Sequence, residues 1–146
     1  MVPRSIGWCS VTDSCIFCAI AAGDAEASIV HADEHAVAFL DLHPLTTGHT
    51  LVIPRRHVVD LLDADGAVAE VGPVLEATAA LLVDRLGADG INAFQASGPA
   101  AGQTVFHLHF HLLPRTAGDG LIDVHSLRSG SAETDLAGVH ARLTGR

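Results

Sequence analysis

The chain has 146 residues, 49% of them hydrophobic, and a formal net charge of −9 from 8 Lys and Arg against 17 Asp and Glu. This length and composition are typical of one folded globular domain, which we place at residues 15–146 after a flexible leader over residues 1–14. The acidic balance argues against binding to DNA or RNA, and no apolar run is long enough to cross a membrane.

The first half of the chain predicts a short helix followed by three strands. The segment CIFCAIAAGD (15–24) is typical of one or two helical turns that end at a glycine. ASIVH (27–31) and HAVAFLD (35–41) are short alternating segments that predict a hairpin. Turn residues in HPLTTG then lead into HTLVIP (49–54), whose β-branched residues predict a third strand that ends at a proline.

The second half predicts one long helix and two more strands. Apolar residues recur at helical spacing from Asp65 to about Leu86. The residues expected on the buried face of this helix are Val68, Val71, Leu75, Leu82 and Leu86. INAFQ (91–95) and TVFHLHFHLLP (104–114) predict strands on either side of a glycine-rich loop, and a terminal helix is expected from about Thr134. This order predicts an α+β fold with an antiparallel sheet of about five strands, one long helix and short flanking helices.

The segment FHLHFHLLPR (106–115) places histidines at alternate positions, namely His107, His109 and His111. Side chains two residues apart lie on the same face of a strand, so this spacing predicts three imidazoles along one side of the sheet. A zinc-dependent hydrolase could use all three as ligands and keep one position open for water. Such an enzyme usually also needs a carboxylate base, and the first acidic residue after the strand is Asp119.

A phosphate site explains these histidines together with the residues that precede them. Gly98 and Gly102 allow the backbone to approach an anion closely, and Gln103 and Thr104 offer neutral hydrogen-bond donors. An imidazole can attack phosphorus directly to form a phosphohistidine that water then cleaves, while its neighbours orient and protonate the reacting groups. Phosphate chemistry therefore accounts for more of this segment than a catalytic metal, which stays an alternative.

GQTVFHLHFHLLPR resembles the signature of the histidine triad (HIT) family, in which apolar residues separate three histidines. CIFCAIAAGD, HAVAFLDLHPLTTGHTLVIPRRHV and INAFQASGPAAGQTVFHLHFHLLPR are similar, in this order, to segments of its Hint-like bacterial branch. HLLPRTAGDG also resembles the fragile-histidine-triad branch. The resemblance covers about Cys15 to Gly120 and implies a HIT-like fold, a homodimer, and hydrolysis or transfer of purine nucleoside monophosphates through a nucleotidyl-histidine intermediate, with no catalytic cofactor.

The resemblance also implies roles for individual residues. His109 matches the nucleophile that attacks the α-phosphorus, and His111 matches the histidine that contacts the phosphate and the leaving group. His49 matches an additional histidine of the same site, and Gln103 and Thr104 match a pair that hydrogen-bonds the phosphate and the leaving group. The implied nucleoside site consists of an apolar slot for the base, Ile16, Phe17, Ile20, Phe39 and Leu42, and a carboxylate for the ribose hydroxyls, Asp41.

One position departs from the family pattern, and two nucleotide-site residues have an ordinary alternative. Family members usually carry an amide side chain seven residues before the glutamine, where this chain has Ala96; either Gln95 substitutes for it, or the loop is shifted by one residue. Phe17 and Phe39 could equally be plain core residues. Alternative functions that stay open are a dinucleoside polyphosphate hydrolase and a nucleotide-binding protein without catalysis.

Cys15 and Cys18 form a C-x-x-C motif, which by itself is compatible with redox activity, half of a zinc site, or coincidence. The resemblance implies that His57 and His107 complete a zinc site, and a set of two cysteines and two histidines is structural rather than catalytic. Free buried thiols are the alternative. Three cysteines without a secretory signal favour a reducing cytosol, so we expect a cytoplasmic protein.

Overall fold

A five-stranded antiparallel sheet with helices on both faces forms the fold in the computed structural model, which describes residues 14–121, 132 and 135–145. The elements are α1 (Ile16–Ala22), β1 (Ile29–Ala32), β2 (Ala36–Leu40), β3 (Thr50–Pro54), a 3-10 turn (Leu61–Asp63), α2 (Ala67–Leu86), β4 (Gly90–Gln95), a second 3-10 turn (Pro99–Ala101), β5 (Phe110–Arg115) and α3 (Leu136–Thr144). The predicted α+β architecture is confirmed, including the terminal helix. The predicted leader lies outside the described residues, apart from Ser14.

The strands follow the order β1-β2-β3-β5-β4 across the sheet, and each neighbouring pair is antiparallel. In the β3–β5 pair, Leu51 lies opposite His111. His49 directly precedes β3, and the main-chain N–H of Asp41, just after β2, donates to its carbonyl oxygen at 2.9 Å. Residues that are far apart in the chain therefore meet at one end of the central strands.

The two faces of the sheet bury different helices. On one face, Ala36, Ala38 and Val52 pack with α2, whose buried residues are Ala67, Val71, Val74, Thr78 and Leu82. On the other face, Val37, Phe39 and Leu51 pack with Phe17 and Ala21 of α1. Strand alternation produces this division, since adjacent residues of β2 and β3 point to opposite sides. Within the described residues, no helix is long and apolar enough to span a membrane.

The predicted buried face of the long helix was partly wrong. Val71 and Leu82 are buried, and Leu75 packs at the edge of the core, but Val68 is 40% exposed and Leu86 is 46% exposed. The buried stripe starts at Ala67, and Val68 is rotated about 100° from it on a helical wheel. Leu86 is the last residue of α2, where it reaches the end of the covered surface.

The predicted strand over residues 104–114 was too long. β5 begins at Phe110, so only His111 of the three histidines lies in a strand, and His107 and His109 lie in the irregular segment before it. The rings are still neighbours, since Phe17 contacts His107 and His109, and His109 contacts His111. At Phe110 the pairing with β4 ends, and the last β3 residue paired with β5 is Val52. Without continuous neighbours, the segment departs from the sheet, and the main-chain N–H of Leu108 donates instead to the carbonyl oxygen of Val58 at 2.7 Å.

Gly48 is the residue on which the entry into β3 depends. Its φ is +84°, and a Cβ atom there would collide with the side chain of Leu86 and press against Pro114 at 3.3 Å. We expect Gly48→Ala to lower the free energy of unfolding by about 1 to 2 kcal/mol, because alanine is strained at this φ, whereas the exposed end of the Leu86 side chain can move aside. The matched control is Gly72→Ala inside α2, where nothing lies within 4 Å of the added atom. That change should raise stability by up to about 1 kcal/mol, and urea unfolding of both variants checks the contrast.

Candidate functional site

His49 and His111 form a directed hydrogen-bond chain at the end of β3 and β5. The main-chain N–H of Leu45 donates to Nδ1 of His49 at 3.1 Å, so this nitrogen carries no proton. A neutral His49 then carries its proton on Nε2, which lies 2.8 Å from Nδ1 of His111. Since Nδ1 of His111 accepts, its own proton is on Nε2. A main-chain amide thus fixes the tautomers of two histidines in series.

His109 has the opposite arrangement of its two nitrogens. Its Nδ1 lies 2.7 Å from the carbonyl oxygen of His107, and a carbonyl can only accept, so Nδ1 carries the proton. A neutral His109 ring therefore keeps a free electron pair on Nε2. The ring is buried, with the edge of Phe17 at 5.3 Å and His111 at 5.0 Å between centroids. The site thus places a ring nitrogen that can act as an electron-pair donor next to a ring that offers an N–H group.

Burial keeps the rings of His49 and His111 uncharged. Desolvation, together with the neighbouring His109 and His49, lowers the pKa of His111 to about 4, and Asp41 opposes the shift. Desolvation also lowers the pKa of His49, again against the charge of Asp41, whose Oδ2 lies 3.7 Å from Nε2 of His49. Both rings are therefore neutral near pH 7, as the tautomer chain requires.

A cavity of about 460 Å³ opens beside these histidines between α1 and the end of β2. All six residues predicted for the nucleoside line it: Ile16, Phe17, Ile20, Phe39, Asp41 and Leu42. Thr104, His109 and His111 also line it, while Leu42, at 89% exposure, marks its mouth. Phe17 and Phe39 are both core and cavity wall, since they pack edge to face in the core cluster. Cavity residues that sequence reasoning missed include Glu26 and His43.

Gln103 is held away from the cavity by its own hydrogen bonds. Its side-chain oxygen accepts from the main-chain N–H of Gly98 at 2.8 Å, and its amide nitrogen donates to the carbonyl oxygens of Val59 and Val105. The side chain is buried and is not among the residues lining the cavity. Its contact with phosphate stays a prediction, and the structure gives the side chain a role in fixing the glycine-rich loop.

Gln95 is also committed to its own loop. Its side-chain oxygen accepts from the hydroxyl of Ser97 at 2.8 Å, and its amide nitrogen donates to the carbonyl oxygen of Ala96 at 2.9 Å. Ser97 in turn accepts from the main-chain N–H of Leu61 at 2.9 Å. Neither Gln95 nor Ser97 lines the cavity. Gln95 therefore does not present its amide to the cavity.

The predicted zinc ligands converge on the far side of α1. Ligand atoms of Cys15, Cys18, His57 and His107 all lie within 4.8 Å of one another. Nδ1 of His107 lies 3.5 Å from the Sγ atoms of Cys15 and Cys18, and Nδ1 of His57 lies 3.2 Å from Sγ of Cys18.

The buried His107 suits a metal ligand. Its Nε2 donates to the carbonyl oxygen of Pro54 at 2.9 Å, which leaves the Nδ1 electron pair directed at the sulfur atoms. Burial lowers the pKa of His107 to about 4, so the neutral ring that a metal needs is the resting form. Cys18 is disulfide-bonded in the structure, so metal binding requires its reduced thiolate.

A second cluster, Asp41, His49 and His111, is a poor metal site although its ligand atoms lie within 4.8 Å of one another. A metal on Nε2 of His49 would have to displace its proton, because Nδ1 already accepts from Leu45. No cluster found among the described residues combines His107, His109 and His111, so the catalytic-zinc alternative has no ligand set there. Asp119 pairs with Arg115, whereas Asp41, distant in sequence, is the carboxylate near the site.

The comparisons with known proteins agree with this geometry. The HIT domain model matches residues 22–118. The chain belongs to the HIT domain family. Membership places it among nucleotide-binding proteins of the hydrolase and transferase type.

Individual relatives support the assignment over most of the chain. An uncharacterised HIT-like protein of Methanocaldococcus jannaschii is 43% identical over 108 residues, which cover 73% of this chain and 82% of the relative. The crystal structure of a HIT family member from Bacillus subtilis has a TM-score of 0.80 at 34% identity, covering 92% of this chain and 97% of the other. A zinc-bound histidine triad family protein from Mycobacterium smegmatis has a TM-score of 0.71 at 40% identity, covering 90% and 96%.

The lowered pKa of His111 predicts a pH-dependent stability. The folded value of about 4 lies below the ordinary 6.5, so the folded protein binds fewer protons between these values and loses stability as pH falls through this window. The share of His111 is at most about 3 kcal/mol, and less because its ring is partly accessible to solvent. We expect the urea unfolding midpoint of His111→Asn to change less between pH 7 and pH 4 than that of the unaltered protein. An equal change in both proteins would contradict a lowered pKa of His111.

Proposed function

We propose that this protein releases a purine nucleoside 5′-monophosphate from a leaving group through a nucleotidyl intermediate on His109. The observation that carries the proposal is the hydrogen bond from Nδ1 of His109 to the carbonyl oxygen of His107, which leaves Nε2 as the nucleophile at the cavity. This matches the requirement for an activated nitrogen that does not depend on a bound metal.

The chemistry proceeds in two displacements. Nε2 of His109 attacks the α-phosphorus, a nitrogen–phosphorus bond forms, and the bond from phosphorus to the leaving atom breaks. The Nε2–H of His111 hydrogen-bonds the departing atom, which takes up one proton from solvent as it leaves. Water then attacks the same phosphorus, the bond to His109 breaks, one proton of the water stays on the product as its hydroxyl, and the other returns to solvent, so protons balance over the two steps. The products are the nucleoside monophosphate and the protonated leaving group.

The cavity supplies the selectivity that this reaction needs. Ile16, Ile20 and Phe39 offer apolar surface for a flat base, and the carboxylate of Asp41 can accept hydrogen bonds from both ribose hydroxyls. Thr104 places a hydroxyl donor beside the histidines. The arrangement suits a phosphoramidate-type substrate, whose nitrogen leaving group benefits from a nearby N–H donor and a proton.

The test is the release of AMP from adenosine 5′-phosphoramidate. We expect His109→Ala to lose about 10³-fold or more in kcat while the protein stays folded, because the nucleophile is removed. The control is His43→Ala, which lines the cavity outside the hydrogen-bond chain and should stay within about fivefold. Full activity in His109→Ala would overturn the mechanism.

The substrate range decides between the alternatives. Faster cleavage of a dinucleoside polyphosphate than of the phosphoramidate would place the protein with the fragile-histidine-triad branch. Binding of AMP without turnover of either compound would make it a nucleotide-binding module.

We also propose a structural zinc ion held by Cys15, Cys18, His57 and His107, which fit it in donor type and spacing. Zinc bound by two thiolates and two imidazoles cross-links α1 to the segments that follow β3 and precede β5, and it has no open position for water. Support comes from the ligand cluster and from the hydrogen bond of His107 Nε2 to the carbonyl oxygen of Pro54, which leaves the electron pair of Nδ1 available to a metal.

Zinc content under reducing conditions tests this site. Native mass spectrometry should show one zinc ion per chain, and Cys15→Ser should lose it and lower the unfolding temperature. Turnover of the phosphoramidate should survive chelation as long as the protein stays folded. Turnover lost in folded, zinc-free protein would contradict a purely structural role.

Two further proposals rest on the family and on composition. We propose a homodimer, which light scattering after gel filtration tests, and a cytoplasmic location, where the disulfide of Cys18 would be reduced. The purine nucleotide is the partner that the cavity suits, and the net charge of −9 makes a nucleic acid an unfavourable one.

A further inference from the structure

Phe94 stacks on the ring of His111, and sequence reasoning did not connect these two residues. They are direct cross-strand partners in the β4–β5 pair. Their ring centroids lie 4.4 Å apart with an interplanar angle of 8°, so the phenyl group covers one face of the imidazole. Phe94 is nevertheless 42% exposed, and it is not among the residues lining the nucleotide cavity. Its ring touches the site from outside.

The hydrogen-bond chain alone does not fix the ring of His111. Nδ1 accepts from His49, and the neighbouring rings of His49 and His109 are tilted at 39° and 63° to it, so neither lies flat against it. Rotation about the last side-chain bond of histidine is soft and roughly two-fold. A partial rotation out of the present plane would bend the hydrogen bond from His49 and would turn Nε2–H away from its present direction.

We propose that Phe94 is a positioning residue that holds the imidazole of His111 in the plane that keeps Nδ1 on His49 and Nε2–H at the cavity. β4 is an edge strand of the sheet. Among the described residues, the side chain of Phe94 on this strand is the ring that stacks on this face of His111. The consequence for turnover rests on the function proposed above, whereas the orientation of the ring does not. Phe94 itself need not touch the substrate.

The test compares Phe94→Leu with Phe106→Leu. Phe106 is a matched control, because it is an exposed phenylalanine close to the histidines in sequence, with no ring contact recorded in the described part of the chain. We expect Phe94→Leu to lower kcat for adenosine 5′-phosphoramidate about tenfold with KM within twofold, since stacking energies correspond to about this factor. Phe94→Tyr should restore most of kcat, and Phe106→Leu should match the unaltered protein.

Nitrogen-15 NMR of the histidine rings provides a readout that does not depend on turnover. In the unaltered protein, His111 should show one tautomer, with Nδ1 unprotonated and Nε2 protonated. In Phe94→Leu, the separation between its two nitrogen shifts should shrink as other ring orientations and tautomers become populated. Gel filtration of each variant checks that assembly is unchanged, and Phe94→Met serves the same comparison if Phe94→Leu does not fold.

The outcomes separate this proposal from the proposed function. An unchanged His111 tautomer and a kcat within twofold in Phe94→Leu would overturn the role of Phe94 while leaving the nucleophile in place. Absence of turnover in the unaltered protein would overturn the proposed function, and the NMR comparison would still decide whether Phe94 orients His111. A fall in kcat that Phe94→Tyr does not restore would also count against stacking as the cause.

Discussion

His107 is the residue on which the site depends, because its side chain and its main chain serve two different centres. The ring is fully buried, donates to the carbonyl oxygen of Pro54 and directs its other nitrogen at Cys15 and Cys18. Its own carbonyl oxygen accepts from Nδ1 of His109. A hydrogen bond of this kind decides which nitrogen of His109 keeps its electron pair. The cluster of cysteines and histidines and the ring of His109 are thus joined through one residue.

The helix α1 has a similar double role. Cys15 and Cys18 point to the metal cluster, while Ile16 and Ile20 line the nucleotide cavity. Phe17 packs against His107 and His109 at 5.9 and 5.3 Å between ring centroids. The same short helix therefore forms part of both the Cys/His cluster and the cavity wall, so the proposed zinc ion would stiffen the wall of the proposed nucleotide site.

Electrostatics in this acidic protein are local rather than global. The net charge of −9 disfavours anions at long range, yet His49 and His111 offer hydrogen-bonding groups without charge beside the cavity. Burial holds His49 and His111 uncharged even though Asp41 lies nearby, because the cost of desolvating an imidazolium exceeds the attraction of one partly exposed carboxylate. Phosphate recognition can then rest on directed N–H groups instead of bulk positive charge.

The sequence by itself determined the order of helices and strands and the alternation that divides the two faces of the sheet, since these follow from local spacing and residue type. It also singled out the histidines that lie together beside the cavity, His109 and His111. Spacing could not show that β5 begins at Phe110, because strand ends depend on where neighbouring strands stop pairing. Nor could it show that Gln103 is bound to backbone groups, that Leu45 sets the tautomer of His49, or that Phe94 covers His111. These contacts join residues that are distant in the chain, so only the tertiary structure decided them.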